Sequence, residues 1–308
     1  MNMKNYKTKE HLSASSAVVF RRCPRLYFYK IGCNLVKNKN KGLPLIFGSA
    51  IHAALPFAYN DPQKALLSFK EIWKDNDMFE DKKRNTMRAT AMIENFHNHH
   101  KDNTFYTIEK LPQPTEYDLA ERVSSDETPF VFDIDRRQVV VGRIDNAARH
   151  TANGHLFCVE YKTTSELSLR FLHGFQSNIQ IFTYALALNI FARETYHGVI
   201  LDALRVSPVN TETITMPIFV DSWMHEQTIK WYQKVADDIE KCENEEDFPC
   251  NRSLCTPYGA FGSCGYMCPY LDLCSIEDWT DLYQAFEVEE RKPFIVKKAE
   301  EDKCSTQN

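Results

Sequence analysis

Residues 139–164 constrain this chain more than any other stretch. Asn153-Gly154 has the composition of a two-residue type I′ turn, and β-branched runs flank it, QVVVGRIDNAAR before and LFCVEYKTT after. A hairpin closed there sets Ala152 against His155, Asp145 opposite Lys162, and Ala147 opposite Glu160. Side chains alternate along a strand, so Glu160 and Lys162 share one face, and Asp145 lies on it too. Diagonal cross-strand neighbours are about 7–8 Å apart at the backbone, within reach of two carboxylates sharing one ion. The segment thus places two acids and an amine on one surface.

Two hard oxygen ligands with open coordination positions suit Mg²⁺ or Mn²⁺. Such an ion can polarise a phosphodiester and lower the pKa of a bound water, while an adjacent ammonium offsets developing charge. The plain alternative is a salt bridge on an exposed sheet face, contributing at most about 1 kcal/mol. Hairpin geometry alone leaves both open.

The rest of the chain alternates in texture. Ser13 can cap a helix through SSAVVFRRC, which Pro24 interrupts; the aromatic run LYFYKIG follows, then a lysine-rich loop at 38–41. A second helix is expected to open near Gly48. Helix periodicity marks residues 63–75 and 82–100. After Asn103 come short runs of strand character, FYTIEKL, YDLAERV, FVFDIDR and the hairpin itself. Helix period returns over 175–194 and 222–244, with HGVILDALRV and TITMPIFV between them as strands. This pattern predicts an α/β fold with a central mixed sheet carrying the acids, flanked by helices. The expected organisation is a helical N-terminal part over 1–102 with Cys23 and His52, a catalytic core over 103–247, a cysteine-rich segment over 248–280 and a charged tail over 281–308.

With 308 residues and a formal charge of −5, the chain is not a globally basic nucleic-acid coat protein, although a local basic groove stays open. The opening MNMKNYKTKE has no apolar run behind it, and the longest apolar stretch, 179–192, is broken by Gln180, Thr183 and Asn189. No signal peptide and no membrane span are expected, and the location is expected to be cytoplasmic. No GxxxxGK[ST] phosphate loop occurs, so no helicase motor is expected. Ten cysteines in an intracellular chain point to metal ligands and buried thiols rather than disulfides. Cys255, Cys264, Cys268 and Cys274 are spaced C-x8-C-x3-C-x5-C, without the paired C-x2-C units of a zinc knuckle.

Several short motifs in order resemble the PD-(D/E)XK nuclease superfamily, in particular its RecB-like branch. That branch includes AddAB-type helicase–nucleases, CRISPR-associated iron–sulfur exonucleases and many phage exonucleases. SASSAVVFRRCPRLYFY resembles the opening Ser-x-Ser…Cys-Pro…Tyr pattern, and FGSAIHAAL the Gly-x-x-x-His motif. VGRID resembles the Gly-x-x-Asp strand and VEYKTT the (Asp/Glu)-x-Lys strand. Gln180 and Tyr184 match a Gln-x-x-x-Tyr helix, and FPCNRSLCTPYG…CPYLDLC resembles the terminal cysteine cluster. The motifs span residues 13–274. The first acidic motif reads Arg-Ile-Asp, without the proline that names the superfamily.

The resemblance implies a restriction-endonuclease-like core and metal-dependent hydrolysis of DNA, most simply from an end. It makes Asp145 and Glu160 metal ligands, the Tyr161 carbonyl a third oxygen, and Lys162 the catalytic lysine. His52 becomes a further ligand favouring Mn²⁺ or a second ion; its alternative is a satisfied histidine on an amphipathic helix. Gln180 and Tyr184, i,i+4 on one helix face, sit against the active site or else form a polar pair on a core helix. Glu121 is a candidate supporting acid. The resemblance also implies a [4Fe–4S] cluster on Cys23, Cys268, Cys274 and either Cys255 or Cys264, with Cys255 slightly preferred. Zn²⁺ on four of these cysteines is the alternative. Cys33, Cys158 and Cys304 are read as packing or surface residues.

Single-stranded DNA or DNA ends are the expected partner, alongside a helicase or recombination protein. Arg21, Arg22 and Arg25 are candidate phosphate contacts, as are Lys37, Lys39, Lys41, Lys82, Lys83 and Arg84. Tyr27, Phe28 and Tyr29 are either base-stacking platforms or core. The competing functional readings are a non-catalytic DNA-binding or partner module with a structural metal cluster, and an iron–sulfur redox protein.

Overall fold

A computed structural model of the protein describes residues 11–36, 42–79, 81–109, 117–119, 128–134, 139–191, 195–252, 268–274, 286–288 and 296–298. The chain begins with β1 (His11–Leu12), α1 (Ala14–Arg22), α2 (Pro24–Tyr27), a π-helical turn (Phe28–Gly32) and β2 (Leu35–Val36). Three longer helices follow, α3 (Leu43–Ala58), α4 (Pro62–Trp73) and α5 (Thr86–His100). Next come β3 (Tyr106–Glu109), β4 (Tyr117–Leu119), β5 (Thr128–Asp133), β6 (Val139–Ile144), β7 (Asn146–His150) and β8 (Leu156–Thr164). The second half carries α6 (Leu169–His173), α7 (Ile179–Phe191), β9 (Tyr196–Arg205), β10 (Thr213–Phe219), α8 (Ser222–Glu240) and α9 (Leu271–Cys274). Two short strands, β11 (Glu287–Val288) and β12 (Val296–Lys298), pair with β2 and β4.

The centre is a five-stranded mixed sheet ordered β10-β9-β8-β7-β3. β8 and β9 run parallel, joined by the α7 crossover, and the other neighbours are antiparallel. β6 belongs to a separate three-stranded sheet ordered β1-β6-β5. Asp145 therefore stands at the step where the chain leaves one sheet for the other. Alternation along β8 divides two cores. Leu156 and Cys158 pack with α1, α7 and α8, whereas Phe157, Val159 and Tyr161 pack with α3, α4 and α5.

The hairpin differs from its expected register. Ala147 pairs with Cys158 and Asn146 with Val159, because four residues, 151–154, connect the strands. Thr151 is drawn toward β3, its amide donating to the Phe105 carbonyl at 2.8 Å. Asn153 Oδ1 accepts from the His155 amide at 3.0 Å, and Gly154 takes the positive φ of 72° that closes the loop. The slip is two residues, so parity survives and Glu160 and Lys162 keep their common face. It moves Asp145 from opposite Lys162 toward Glu160.

α3 starts at Leu43 rather than near Gly48, with Pro44 in its first turn, where a missing amide is tolerated. Ser13 and Ser16 form a reciprocal capping box on α1, and Pro24 opens α2 at its first turn. The aromatic run is core. Tyr27, Phe28 and Tyr29 are all buried and pack against Phe20, Phe248 and Tyr270, which selects the core reading over base stacking. These contacts, with Tyr270 Oη donating to the Leu35 carbonyl at 2.6 Å, bind the N-terminal helices to the segment after α8. Among the described residues no helix is long and apolar enough to cross a membrane.

Candidate active site

The edge of β8 opens into a cleft of about 520 Å³ lined by His52, Arg143, Asp145, Glu160, Lys162, Gln180 and Tyr184, with Ser13, Ser15 and Asn178 at its sides. Asp145, Glu160 and Lys162 come from the hairpin, His52 from α3, and Gln180 and Tyr184 from one face of α7. Asp145 Oδ2 accepts the Tyr161 amide at 2.9 Å and lies 3.6 Å from His52 Nδ1. Lys162 Nζ pairs with Glu160 Oε1. That same oxygen accepts from Gln180 Nε2 at 3.1 Å, and Gln180 Nε2 also reaches Tyr184 Oη at 2.6 Å.

The electrostatics divide the two acids. Burial, and then the neighbouring Asp145 charge, push the Glu160 carboxyl up to about 7 against the pull of Lys162. Burial also opposes Asp145, but His52, the Tyr161 amide and Lys162 outweigh it and hold that carboxyl below its ordinary range. For His52, burial is overcome by Asp145 and Glu160, which raise it above the usual imidazole value. The cleft thus holds an ionised Asp145 beside a Glu160 that gives up its proton reluctantly. Such a place favours an added positive charge.

Among the described residues no three His, Cys, Asp or Glu side chains are gathered so as to hold a metal ion. The expected set of His52, Asp145 and Glu160 is therefore not drawn together as one group: His52 leans on Asp145, and Glu160 is turned to Lys162. The donors still fit a hard divalent cation. Mg²⁺ takes one or two carboxylates and completes its shell with water and substrate phosphate, which Asp145, Glu160 and the Tyr161 carbonyl satisfy in kind.

The cysteine cluster is described only in part. Cys255 and Cys264 lie outside the described residues, as do Cys304, Glu121, Lys37, Lys39 and Lys41. Cys23 Sγ accepts the Asn251 amide at 3.4 Å. Cys274 is pushed up by burial and then by the neighbouring Cys250 and Cys268 thiols. Cys250 is thus a thiol of this group that spacing did not single out. Cys158 is fully buried, and Cys33 is half-buried.

The arginines divide. Arg21 lies 3.5 Å from Asp238, and Arg22 is half-buried at the end of α1, its carbonyl accepting from Asn251 Nδ2 at 3.1 Å. The Arg25 side chain is only 20% exposed. Its Nη1 meets Glu245 Oε1 at 2.6 Å and its Nε donates to the Phe248 carbonyl at 2.8 Å, so it fastens α2 to the segment after α8. Arg25→Met is expected to lose about 1.5–3 kcal/mol of stability while DNA affinity and its salt dependence stay at the wild-type level, checked by denaturant melts and fluorescence anisotropy. Arg84 is engaged with Asp81 at 3.1 Å.

A mixed sheet that brings two acids and a lysine to the lip of one cleft presents the kinds of groups that could hold a divalent ion beside a phosphodiester. A model of the PD-(D/E)XK nuclease superfamily matches residues 11–275, and the chain belongs to that superfamily. No curated protein matches the chain. Among solved structures, the crystal structure of SSO0001 is similar to 75% of this chain and 88% of its own, at 9% identity and a TM-score of 0.26. So distant a superposition adds nothing to the assignment.

Sequence reasoning missed Asn146, Tyr59, His100 and Asp202, which form a buried network behind the site. One signal was present: an aspartate inside the otherwise apolar run VILDALRV is out of place in a buried strand unless it is partnered.

Proposed function

We propose that the protein is a divalent-metal-dependent deoxyribonuclease of the RecB-like type that degrades DNA from an end in replication, recombination or repair. The observation that carries this reading is the convergence of Asp145, Glu160 and Lys162 on one cleft within the region matched to the nuclease superfamily. The exonucleolytic mode rests on the resemblance of the motifs to those of phage and CRISPR-associated exonucleases.

Asp145, Glu160 and the Tyr161 carbonyl would hold Mg²⁺ or Mn²⁺, which supplies a Lewis acid for the phosphate and an acidified water. The protein's own groups provide the positioning. The Tyr161 amide holds Asp145 Oδ2, and Gln180, itself braced by Tyr184, holds Glu160 Oε1. Lys162, once released from Glu160, aligns the attacking water and offsets charge building on the phosphate. Hydrolysis of this type depends mainly on such alignment and charge stabilisation.

The deciding experiment is digestion of 5′- and 3′-labelled DNA with Mg²⁺ or Mn²⁺. Release of label from one end, abolished by chelator, is expected. DNA binding without any cation-dependent turnover would favour the non-catalytic DNA-binding module instead.

The pH dependence has a definite sign. Between its ordinary value and about 7, Glu160 is more protonated in the folded chain than in the unfolded chain. Its burial therefore lowers stability as pH rises across that interval. Glu160 would ligate only when deprotonated. At limiting metal, cleavage is expected to rise as pH passes 7, and more metal should shift the rise to lower pH. A profile flat from pH 6 to 8 at limiting metal would contradict this.

The thiols support a second cofactor reading, a structural [4Fe–4S] cluster on Cys23, Cys268, Cys274 and a further C-terminal cysteine, with Zn²⁺ as the alternative. Cys23 and Cys274 already belong to segments fastened together by Arg25 and Tyr270. Anaerobic purification is expected to yield brown protein with stoichiometric iron. Colourless, zinc-containing protein would select the alternative.

A further inference from the structure

The face of β8 opposite Glu160 and Lys162 carries a buried polar network that the nuclease reading does not use. Tyr161 points to that side, among the residues of α3 and α5. Its hydroxyl accepts from Asn146 Nδ2 at 3.4 Å, and its ring packs against that of Tyr59, with centroids 6.5 Å apart and planes tilted by 43°. Tyr59 Oη donates to Asp202 Oδ2 at 2.8 Å. Asp202 sits beside Tyr161 in the parallel β8–β9 register and is 0% exposed. Its other oxygen accepts from Thr215 Oγ1, and His100 Nε2 stands 3.4 Å away without the alignment of a hydrogen bond. His100 Nδ1 meets Tyr106 Oη at 3.1 Å.

A fully buried carboxylate is unfavourable unless its oxygens are satisfied, and apolar packing often serves stability as well or better. What this network does hold is Tyr161. The main chain of that residue is central to the cleft: its amide binds Asp145, and it separates Glu160 from Lys162. The His52 ring stands edge-on to the Tyr161 ring with centroids 6.2 Å apart. Movement of Tyr161 would therefore disturb all four groups.

We propose that Asp202, which fixes Tyr59 through its hydroxyl and thereby the ring packed against Tyr161, is a positioning residue for the metal site, locking Tyr161 so that Asp145, Glu160 and the Tyr161 carbonyl stay aligned as ligands. The inference rests on the nuclease reading. Loss of an outer partner of this kind commonly weakens metal affinity about 10- to 100-fold.

The test compares Mn²⁺ binding by electron paramagnetic resonance, and the Mg²⁺ dependence of cleavage, in wild type, Tyr59→Phe, Asp202→Asn and Tyr106→Phe. Tyr59→Phe and Asp202→Asn are expected to weaken Mn²⁺ binding at least ~10-fold and to raise the Mg²⁺ needed for half-maximal cleavage by the same factor, with kcat recovering at saturating metal. Tyr106→Phe removes a hydroxyl from the far end of the same network and should leave Mn²⁺ affinity within about twofold, below the outer-partner range. Two results overturn the inference: folded Tyr59→Phe binding Mn²⁺ as tightly as wild type, or Tyr106→Phe weakening it equally, which would mark a general effect of destabilisation. Wild type that neither binds Mn²⁺ nor cleaves DNA would instead overturn the nuclease reading on which the inference stands.

Discussion

Lys162→Ala is expected to lower DNA cleavage about 10²- to 10³-fold, the loss typical of removing one preorganised donor from a reacting centre, with the fold and DNA affinity retained. The ammonium sits at the cleft on Glu160 Oε1, and Glu160 has a second partner in Gln180. Without the lysine, Glu160 has less reason to ionise. Burial and Asp145 already push it upward, so a proton replaces the missing cation and no bare buried charge is left to unfold the sheet. DNA affinity measured by anisotropy in Ca²⁺ should stay near wild type. If binding and activity fell together, Lys162 would be a DNA-binding or structural residue rather than a catalytic one.

Gly198→Ala is expected to destabilise the protein by about 4 kcal/mol or more, because strain at a special backbone position is one of the few sources of so large a loss. Gly198 lies in β9 with φ 150°, at a bulge where the register against β8 jumps from Leu156–Tyr196 to Cys158–Val199. A Cβ there would meet the Ile218 carbonyl oxygen at 1.9 Å and Phe219 Cα at 2.9 Å. The obstacle is main chain, and β9 is held between β8 and β10, so neither side can yield cheaply. For a chain of this size the loss corresponds to a fall in Tm of roughly 6 °C. Circular dichroism melts would show it, and a change under about 1 kcal/mol would mean the bulge rearranges freely.

The contrast between these two positions shows what could be read from residues alone. Lys162 stands in a run whose alternation assigns its face whatever the turn, so the two-residue error in register left its partnership with Glu160 intact. Gly198 carries no local mark that separates it from an ordinary strand glycine, because its constraint comes from Ile218, across a strand pair. The aromatic run beside Cys23 was ambiguous for the same reason. Helical spacing says that Tyr27, Phe28 and Tyr29 share a neighbourhood, but the neighbours that bury them, Phe248 and Tyr270, come from the other end of the chain. Arg25, by its sequence a candidate phosphate contact, instead lies against Glu245, which is 220 residues away in the chain.

Period-two alternation, capping residues and the order of motifs are local properties, so the sequence by itself determined the α/β class, the hairpin face and the superfamily resemblance. Proximity between segments far apart in the chain is not local. Only the tertiary structure decided that Asp145 stands at the step between two sheets, that His52 and Gln180 arrive from opposite helical layers, and that Asp202 lies behind Tyr161. Burial then sets the charge states, since removing water is what separates the Glu160 and Asp145 carboxyls in acidity, and burial exists only once the layers have packed.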